Sequence, residues 1–346
     1  MFEKPKFFVD KVSELKESDP HPYDAFIHVE NNMERMGFVQ DNFVCEVVNE
    51  KGEDSTIRFP TAITYFKDQK VKEWSKELYG YREGVAKALN SNEMNYYVVY
   101  DPYSELSFLA MPFYSNTEIF KSRDNLNTFL KNGKEADVKA LNNLLNTFKD
   151  VDFGLFGSRF VHDFSYKSSP DIDLIIYGPR ELQKVIDSIE SNEDLRNKIG
   201  IDFKDTTRFN QYVQYYMKKF NLNEEEAKIM FSRKRRYMLG GNIKLSINCG
   251  LPNNFNKKIP SVIGSKKIHD VSIEGVALDT SLSSNLPRVF SVDTEGEKID
   301  VVTQNWSIKD FIRQGDKVKI NGALRESDGI TFISLERPED IIKPIL

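Results

Sequence analysis

Residues 154–178 read "GLFGSRFVHDFSYKSSPDIDLIIYG", and the reading of the fold turns on this stretch. Two apolar runs, each of strand length, flank a polar spacer. The first closes on Gly157-Ser158 and the second opens on Asp171-Ile172-Asp173. Side chains alternate along a strand, so Asp171 and Asp173 share one face while Ile172 and Leu174 take the other. Two carboxylates held together repel unless a cation lies between them, and oxygen ligands on a rigid element suit Mg2+ or Mn2+. Glycine after a strand lets backbone approach a ligand closely. A helix or turn beginning at Ser158 would turn its N–H groups and hydroxyl toward phosphates, and Arg159 adds a cation at the same edge. A lone D-x-D is more often a turn or a solvated strand end, and a lone Gly-Ser says less still. The two motifs together, at this spacing, carry the reading.

Working outward, "PRELQKVIDSIES" predicts a helix with Pro179 in its first turn. "VDFGLFGS", "DIDLIIYG" and this helix alternate as β and α, the pattern of a mixed core. "SRDN" at 122–125 stands ahead of periodic Leu and Phe and predicts a helix or helix pair over 122–149. A helical stretch split near Asn221 comes after the core, and Gly240-Gly241 lead into the strand "NIKLSIN". Upstream, residues 37–66 predict a hairpin about the turn "NEKGED". Trp74, Leu78, Tyr81 and Val85 predict a helix over 71–90, and a short helix is expected before Pro20. "NYYVVYD" and "LSFLAMPF" read as two further strands.

Downstream, prolines, asparagines and lysines over 250–267 give way to short β-rich pieces such as "PRVFSV", "GDKVKINGAL" and "ITFISLE". The expected fold class is α+β. An N-terminal α/β region spans 1–120, a mixed sheet with helices 121–255, and a small OB-like β-barrel 268–346, with 256–267 as linker.

Composition narrows the partners. A net charge of −5 argues against a general polyphosphate binder, so a nucleic acid must meet a local basic patch. "SRKRRYM" provides one candidate in Arg233, Lys234, Arg235 and Arg236, with Lys218 and Lys219 ahead of it. The bland alternative is a solvated helix end, where cations favour the dipole. Two cysteines, Cys45 and Cys249, and four scattered histidines form neither a disulfide scaffold nor a zinc pattern. No apolar run reaches a membrane span and "MFEKPKFFVDKV" lacks a signal-peptide hydrophobic region, so a cytoplasmic protein without a membrane partner is expected.

The residues "FGLFGSRF…SPDIDLIIYG" resemble the hG[GS]…DhDhh signature of the DNA polymerase β-like nucleotidyltransferase superfamily. The resemblance implies that Gly157 and Ser158 bind a triphosphate while Asp171 and Asp173 hold the metals. "FPTAITYF", "SRKRRYMLGG" and "ALDTSLSSNLPRVFSV…GDKVKINGAL" are further similar to an archaeal family of nucleotidyltransferases with a β-rich C-terminal module. The activity implied by the resemblance is transfer of a nucleoside monophosphate from an NTP to a hydroxyl, with Mg2+ or Mn2+ and release of pyrophosphate. An RNA or DNA end is the favoured acceptor, with RNA or single-stranded DNA as the nucleic-acid partner, and protein or small-molecule acceptors stay open.

In that superfamily a third carboxylate on a neighbouring strand normally completes the site. "NIKLSIN" is the natural place, yet it offers Lys244, Ser246 and Asn248. "KIGIDFKD" offers Asp202, with Asp205 just beyond, as the other candidate for a third catalytic acid. Without such an acid the expectation becomes a nucleotidyltransferase-fold protein that binds nucleotide or nucleic acid without chemistry. A third reading makes the acid pair incidental in an interaction protein. In the tail, Phe290, Trp306, Phe311, Arg288 and Lys309 are the residues that would read a single strand, against packing or oligomerisation as the plainer role.

Overall fold

In the computed structural model the residues described are 6–16, 19–30, 33–41, 43–53, 55–68, 74–79, 83–91, 94–113, 117–157, 171–203, 209–233, 237–240, 243–252, 255, 258–305, 308–337 and 339–345. They form a mixed α+β protein built on three sheets.

The first sheet takes β1 (Phe7–Glu14), β2 (Ala25–Glu30), β3 (Met33–Val39), β4 (Phe43–Asn49), β5 (Thr56–Asp68) and β6 (Trp74–Tyr79). After α1 (Glu83–Leu89) it adds β7 (Val98–Asp101), β8 (Leu106–Pro112) and β9 (Thr117–Phe120). Its order is β4-β1-β7-β8-β5-β3-β2-β9, with β6 on β5. A further β4–β5 pairing joins the path β4-β1-β7-β8-β5 into a ring around Val9, Cys45, Val47, Val99, Phe108 and Ala110. The predicted hairpin is β4–β5, paired from Val47↔Thr56 to Cys45↔Arg58.

Two local expectations fail here. The short helix before Pro20 is the strand β1, antiparallel to β4 and parallel to β7. Phe7, Val9 and Val12 suit a pleated surface once partners are supplied, and those partners lie far along the chain. The helix over 71–90 is the strand β6 followed by the short α1. Trp74 and Leu78 are four apart, a spacing that fits one helical turn and equally two pleats of a strand.

The second sheet is reached through α2 (Ser122–Asn132) and α3 (Glu135–Thr147). It comprises β10 (Phe153–Phe156), β11 (Asp171–Tyr177), β12 (Ile201–Phe203), β13 (Tyr237–Leu239) and β14 (Ile243–Gly250). Between β11 and β12 run α4 (Pro179–Ser191) and α5 (Glu193–Ile199); between β12 and β13 run α6 (Phe209–Phe220) and α7 (Glu224–Arg233). The strand order is β10-β11-β14-β13-β12, with β11 and β14 parallel and the other pairs antiparallel. One face is covered by helices. Ile172, Leu174 and Ile176 enter a core with Phe129, Leu141, Leu144, Leu182, Val185 and Ile189. Each such side chain contributes roughly 1.5–3 kcal/mol on burial, which fixes the register that turns Asp171 and Asp173 to the opposite face.

The third sheet holds β15 (Lys266–Leu282), β16 (Arg288–Thr294), β17 (Glu297–Thr303), β18 (Lys317–Ser327), β19 (Ile330–Ser334) and β20 (Ile341–Pro344). The order β15-β16-β17-β19-β18 closes into a five-stranded barrel through β15–β18, with β20 on β18. Long β15 serves both neighbours, pairing β18 over 266–276 and β16 over 276–282. The barrel core is shared with α6 and α7. Val213, Tyr216, Phe220, Met230 and Phe231 pack with Phe290, Val301, Phe311, Ile320 and Ile333.

The stretch before the barrel is packed as well. Ile259 and Val262 are buried against Leu282, Val289, Val302 and Phe332. Tyr23 and Leu286 meet Phe156 and Ile175, joining the three sheets on the face of β11 opposite its helices. The Tyr23 hydroxyl donates to Ser284 O (3.1 Å) and so does the Cys249 amide (3.0 Å).

Candidate functional site

The acid pair stands at the N-terminal end of β11, Asp171 exposed and Asp173 half-buried. Across the antiparallel β10–β11 pair, Phe156 lies opposite Asp173, so Gly157 turns away beside that carboxylate. Gly157 has φ +82°, and a Cβ built on it would lie 2.4 Å from Asp173 Oδ2. The acid therefore occupies space that any larger residue at 157 would fill. Glycine is required twice over, for the left-handed backbone and for the approach of Asp173.

The parallel neighbour of β11 is β14, with Lys244 opposite Asp171, Ser246 opposite Asp173 and Asn248 opposite Ile175. Paired residues on adjacent strands face the same way about 5 Å apart. Lys244 and Ser246 therefore stand beside the acid pair, with Asn248 one pleat further along β14. Asp202 is elsewhere. It pairs with Met238, which pairs with Lys244, so it lies in the row of Asp171 but three strands away, about 14 Å at normal strand spacing. Asp202 is exposed on this edge strand and is not brought together with Asp171 and Asp173. Among the described residues no group of three or more His, Cys, Asp or Glu side chains converges on one point.

A contact from the barrel completes this face. Lys309, in the connection between β17 and β18, donates from Nζ to Asn248 Oδ1 (2.8 Å), Ser246 Oγ (3.3 Å) and Ile247 O. The same connection is fixed from two other sides. Ser284 Oγ donates to Asp310 (2.7 Å), and Arg233 makes two bonds to Asp316, at 2.5 and 2.9 Å. The local sequence groups Lys309 with single-strand readers. Nothing local marks its contact with β14, which spans more than sixty residues of chain.

The remaining candidates fall into three groups. Arg233 is paired with Asp316 at the end of α7, binding that helix to the barrel. Phe290, Phe311 and Arg288 are buried, the two rings inside the barrel core. Ser158, Arg159, Lys234, Arg235, Arg236, Asp205 and Trp306 lie outside the described residues.

A cavity of about 620 Å3 opens at the other end of β11, where Lys121, Arg123, Tyr177 and Phe255 line it. Six residues of strand, about 20 Å, separate Tyr177 from Asp171. The Arg123 guanidinium lies 3.6 Å from the centre of the Tyr177 ring and donates to Asp152 through three bonds at 2.8, 2.9 and 3.2 Å. Burial pushes the Tyr177 hydroxyl up to about 12. Cys249, on the helix-covered face of β14, is likewise pushed up to about 12 by burial.

No protein-family model matches this chain, and no curated protein matches it. Thirty-four chains of solved structures do. One belongs to a replication protein A heterotrimer bound to ssDNA, at 20% identity over 23% of this chain and 59% of that one, with a TM-score of 0.19. An overlap this small fixes neither fold nor function. Among the described residues no helix is long and apolar enough to cross a membrane.

Proposed function

We propose that this chain carries a nucleotidyltransferase-type site, in which Asp171 and Asp173 hold a divalent cation that binds a nucleoside triphosphate beside Gly157. The observation that carries the reading is the placement of Gly157 against Asp173 at the end of two antiparallel strands. The donor set fits Mg2+ or Mn2+, which binds through one or two carboxylates and completes its shell with water and phosphate oxygens. Glycine at 157 lets the Asp173 carboxylate lie directly against the backbone. When bound, the ion supplies neutralisation of phosphate charge and polarisation of the α-phosphorus. Asp171 and Asp173 would orient the triphosphate through the ion; the acceptor hydroxyl gives its proton to water and forms a new O–P bond as the α–β anhydride bond breaks and pyrophosphate leaves.

The barrel order, five strands closed with β17 and β19 parallel, supports an OB-type module. An RNA or single-stranded DNA end is the acceptor this reading favours. Burial of Phe290, Phe311 and Arg288 takes those three side chains out of base contact.

A second reading, nucleotide binding without transfer, is favoured by one observation. The strand next to the acid pair carries Ser246, held by Lys309, in place of an acid.

One experiment separates the two. The protein is incubated with each α-32P-labelled NTP, Mg2+ or Mn2+, and a pool of RNA and single-stranded DNA, alongside Asp171→Asn, Asp173→Asn and Asp202→Ala. Label transfer lost in the first two variants and kept in Asp202→Ala supports the transferase. Metal-dependent NTP binding with no transfer supports the binder. Binding that survives loss of both Asp171 and Asp173 refutes the site.

A further inference from the structure

We infer that the cavity of about 620 Å3 at the Tyr177 end of β11 is a second small-molecule site, and that its ligand is a free adenine nucleoside whose amino group donates to Asn285 Oδ1. The cavity lies about 20 Å along β11 from the acid pair, and the inference does not rest on the nucleotide reading above.

Distant parts of the chain build the walls. Phe43 opens β4, Arg123 lies in the first turn of α2, and Tyr177 ends β11. Phe255, from the stretch before the barrel, and Asn285, from the β15–β16 connection, complete them. The volume falls within the range of about 300–1,000 Å3 that small-molecule sites occupy.

One polar group points to the ligand. Asn285 is 1% exposed, and its other polar groups are all engaged. Its amide N–H donates to Leu282 O (3.1 Å) and its carbonyl accepts from Arg288. Nδ2 donates to Leu286 O (3.1 Å) and Pro287 O (3.2 Å), which settles which side-chain atom is the nitrogen. Oδ1 accepts no bond among the described residues. Buried side-chain acceptors are ordinarily paired, so this oxygen, on a residue that lines the cavity, calls for an N–H donor.

The charges on the wall argue for a neutral ligand. Lys121 is bound to Asp24 (2.9 Å), Arg123 to Asp152 (2.8 Å) and Lys258 to Asp328 (2.9 Å). Each lysine and arginine among the described lining residues thus already has a carboxylate, and Glu14 and Asp124 add two further acids. A phosphate would have to displace one of these acids, whereas a neutral molecule leaves all three pairs intact. The rings of Phe43, Tyr177 and Phe255 suit a flat body, since a base can stack on an aromatic side chain. Adenine offers an amino donor without a carbonyl, while guanine and cytosine each carry a carbonyl that would need a donor of its own. Ribose adds hydroxyl donors that the carboxylates of Glu14 and Asp124 can accept.

The test is a calorimetric titration of the full chain in EDTA with adenosine and with purine riboside, which is adenosine without its amino group. Adenosine should bind with a Kd below about 1 mM and purine riboside about three- to tenfold more weakly. In Asn285→Leu that preference should vanish, with adenosine falling to the affinity of purine riboside. Phe255→Ala should weaken both by about tenfold. Adenosine binding should be unchanged in protein first saturated with Mn2+ and α,β-methylene ATP. No adenosine binding, or equal affinity for adenosine and purine riboside in the wild type, overturns the inference. Loss of adenosine binding in the Mn2+-loaded protein also overturns it, by placing the nucleoside at the acid pair. Tighter binding of AMP or of the dinucleotide ApA than of adenosine would make the ligand an anion or a strand end, and so overturn the free nucleoside. The wild-type comparison of adenosine with purine riboside decides even where a variant fails to fold.

Discussion

Replacing Gly157 with alanine tests the site where its geometry is tightest. Two costs can be separated. The first is backbone strain: φ is +82° at Gly157, and a left-handed residue with a Cβ costs about 1–2 kcal/mol. The second is collision. The new methyl would sit 2.4 Å from Asp173 Oδ2, and ordinary contact begins near 3.4 Å, so the carboxylate must retreat by about 1 Å. A carboxylate can rotate, so this adds little to the stability loss. It moves a metal ligand, however, and a misplacement of about 1 Å can cost on the order of 10²-fold in a positioned site. Gly52 provides the control, with φ +75° and nothing within 4 Å of its Cβ position. Gly157→Ala and Gly52→Ala should therefore lower the thermal melting point by similar amounts, a few degrees at most. Only Gly157→Ala should weaken Mn2+-dependent NTP binding, by about 10- to 100-fold in calorimetry. Unchanged NTP affinity in Gly157→Ala, with the strain visible in the melt, would refute the role given to the Gly157–Asp173 contact.

The same packing has other measurable consequences. The Arg233–Asp316 ion pair is mostly shielded, at 19% and 15% side-chain exposure, so Arg233→Ala should cost about 1–3 kcal/mol in urea unfolding. Asp316→Asn should cost a similar amount and the double variant less than the sum; full additivity would show that the pair does not couple α7 to the barrel. Cys249 and Cys45 are buried and hold their protons more tightly folded than unfolded, Cys249 at about 12 against an ordinary 9.0. A raised folded value means their contribution is complete below pH 9 and is lost as pH climbs toward 12. The unfolding midpoint should thus fall from pH 9 upward in the wild type. Cys45→Ala with Cys249→Ala should hold level to about pH 10, where the unfolded form of Tyr177 begins to ionise. A parallel fall in both proteins would contradict the assignment.

The parts of this fold that the sequence discloses are those written in local period. Alternation at Ile172, Leu174 and Ile176 announces β11 and the face its acids take; Pro179 announces α4. Barrel strands such as β16 and β19 show equally well, as short apolar runs between turns, whereas β15 is 17 residues long and mostly uncovered. Period fails where one spacing serves two structures, as at Trp74 and Leu78, and where a strand depends on distant partners, as β1 does on β4 and β7. Strand order is the deeper gap. Asp202 and Ser246 each sit in a short apolar run downstream of the acid pair, and nothing local says which run lies against β11. The sheet order decides for β14: among the described residues β14 pairs with β11 while β12 pairs with β13. The Lys309 contact has no local signature, because it exists only once the barrel has docked.

The packing of α6 and α7 into the barrel core has a further consequence for how the chain is made. These helices are synthesised before β13 and β14, and all six strands of the third sheet come later still. Val213, Tyr216, Phe220, Met230 and Phe231 therefore leave the ribosome with no barrel to receive them. At about 5–20 residues per second, their partners on β15–β19 emerge after an interval on the order of ten seconds. During that interval the helical hairpin presents its apolar stripe to whatever binds nascent chains. A stop codon between residues 250 and 266 would make the exposure permanent, since the released product carries β10 to β14 and lacks every strand of the barrel.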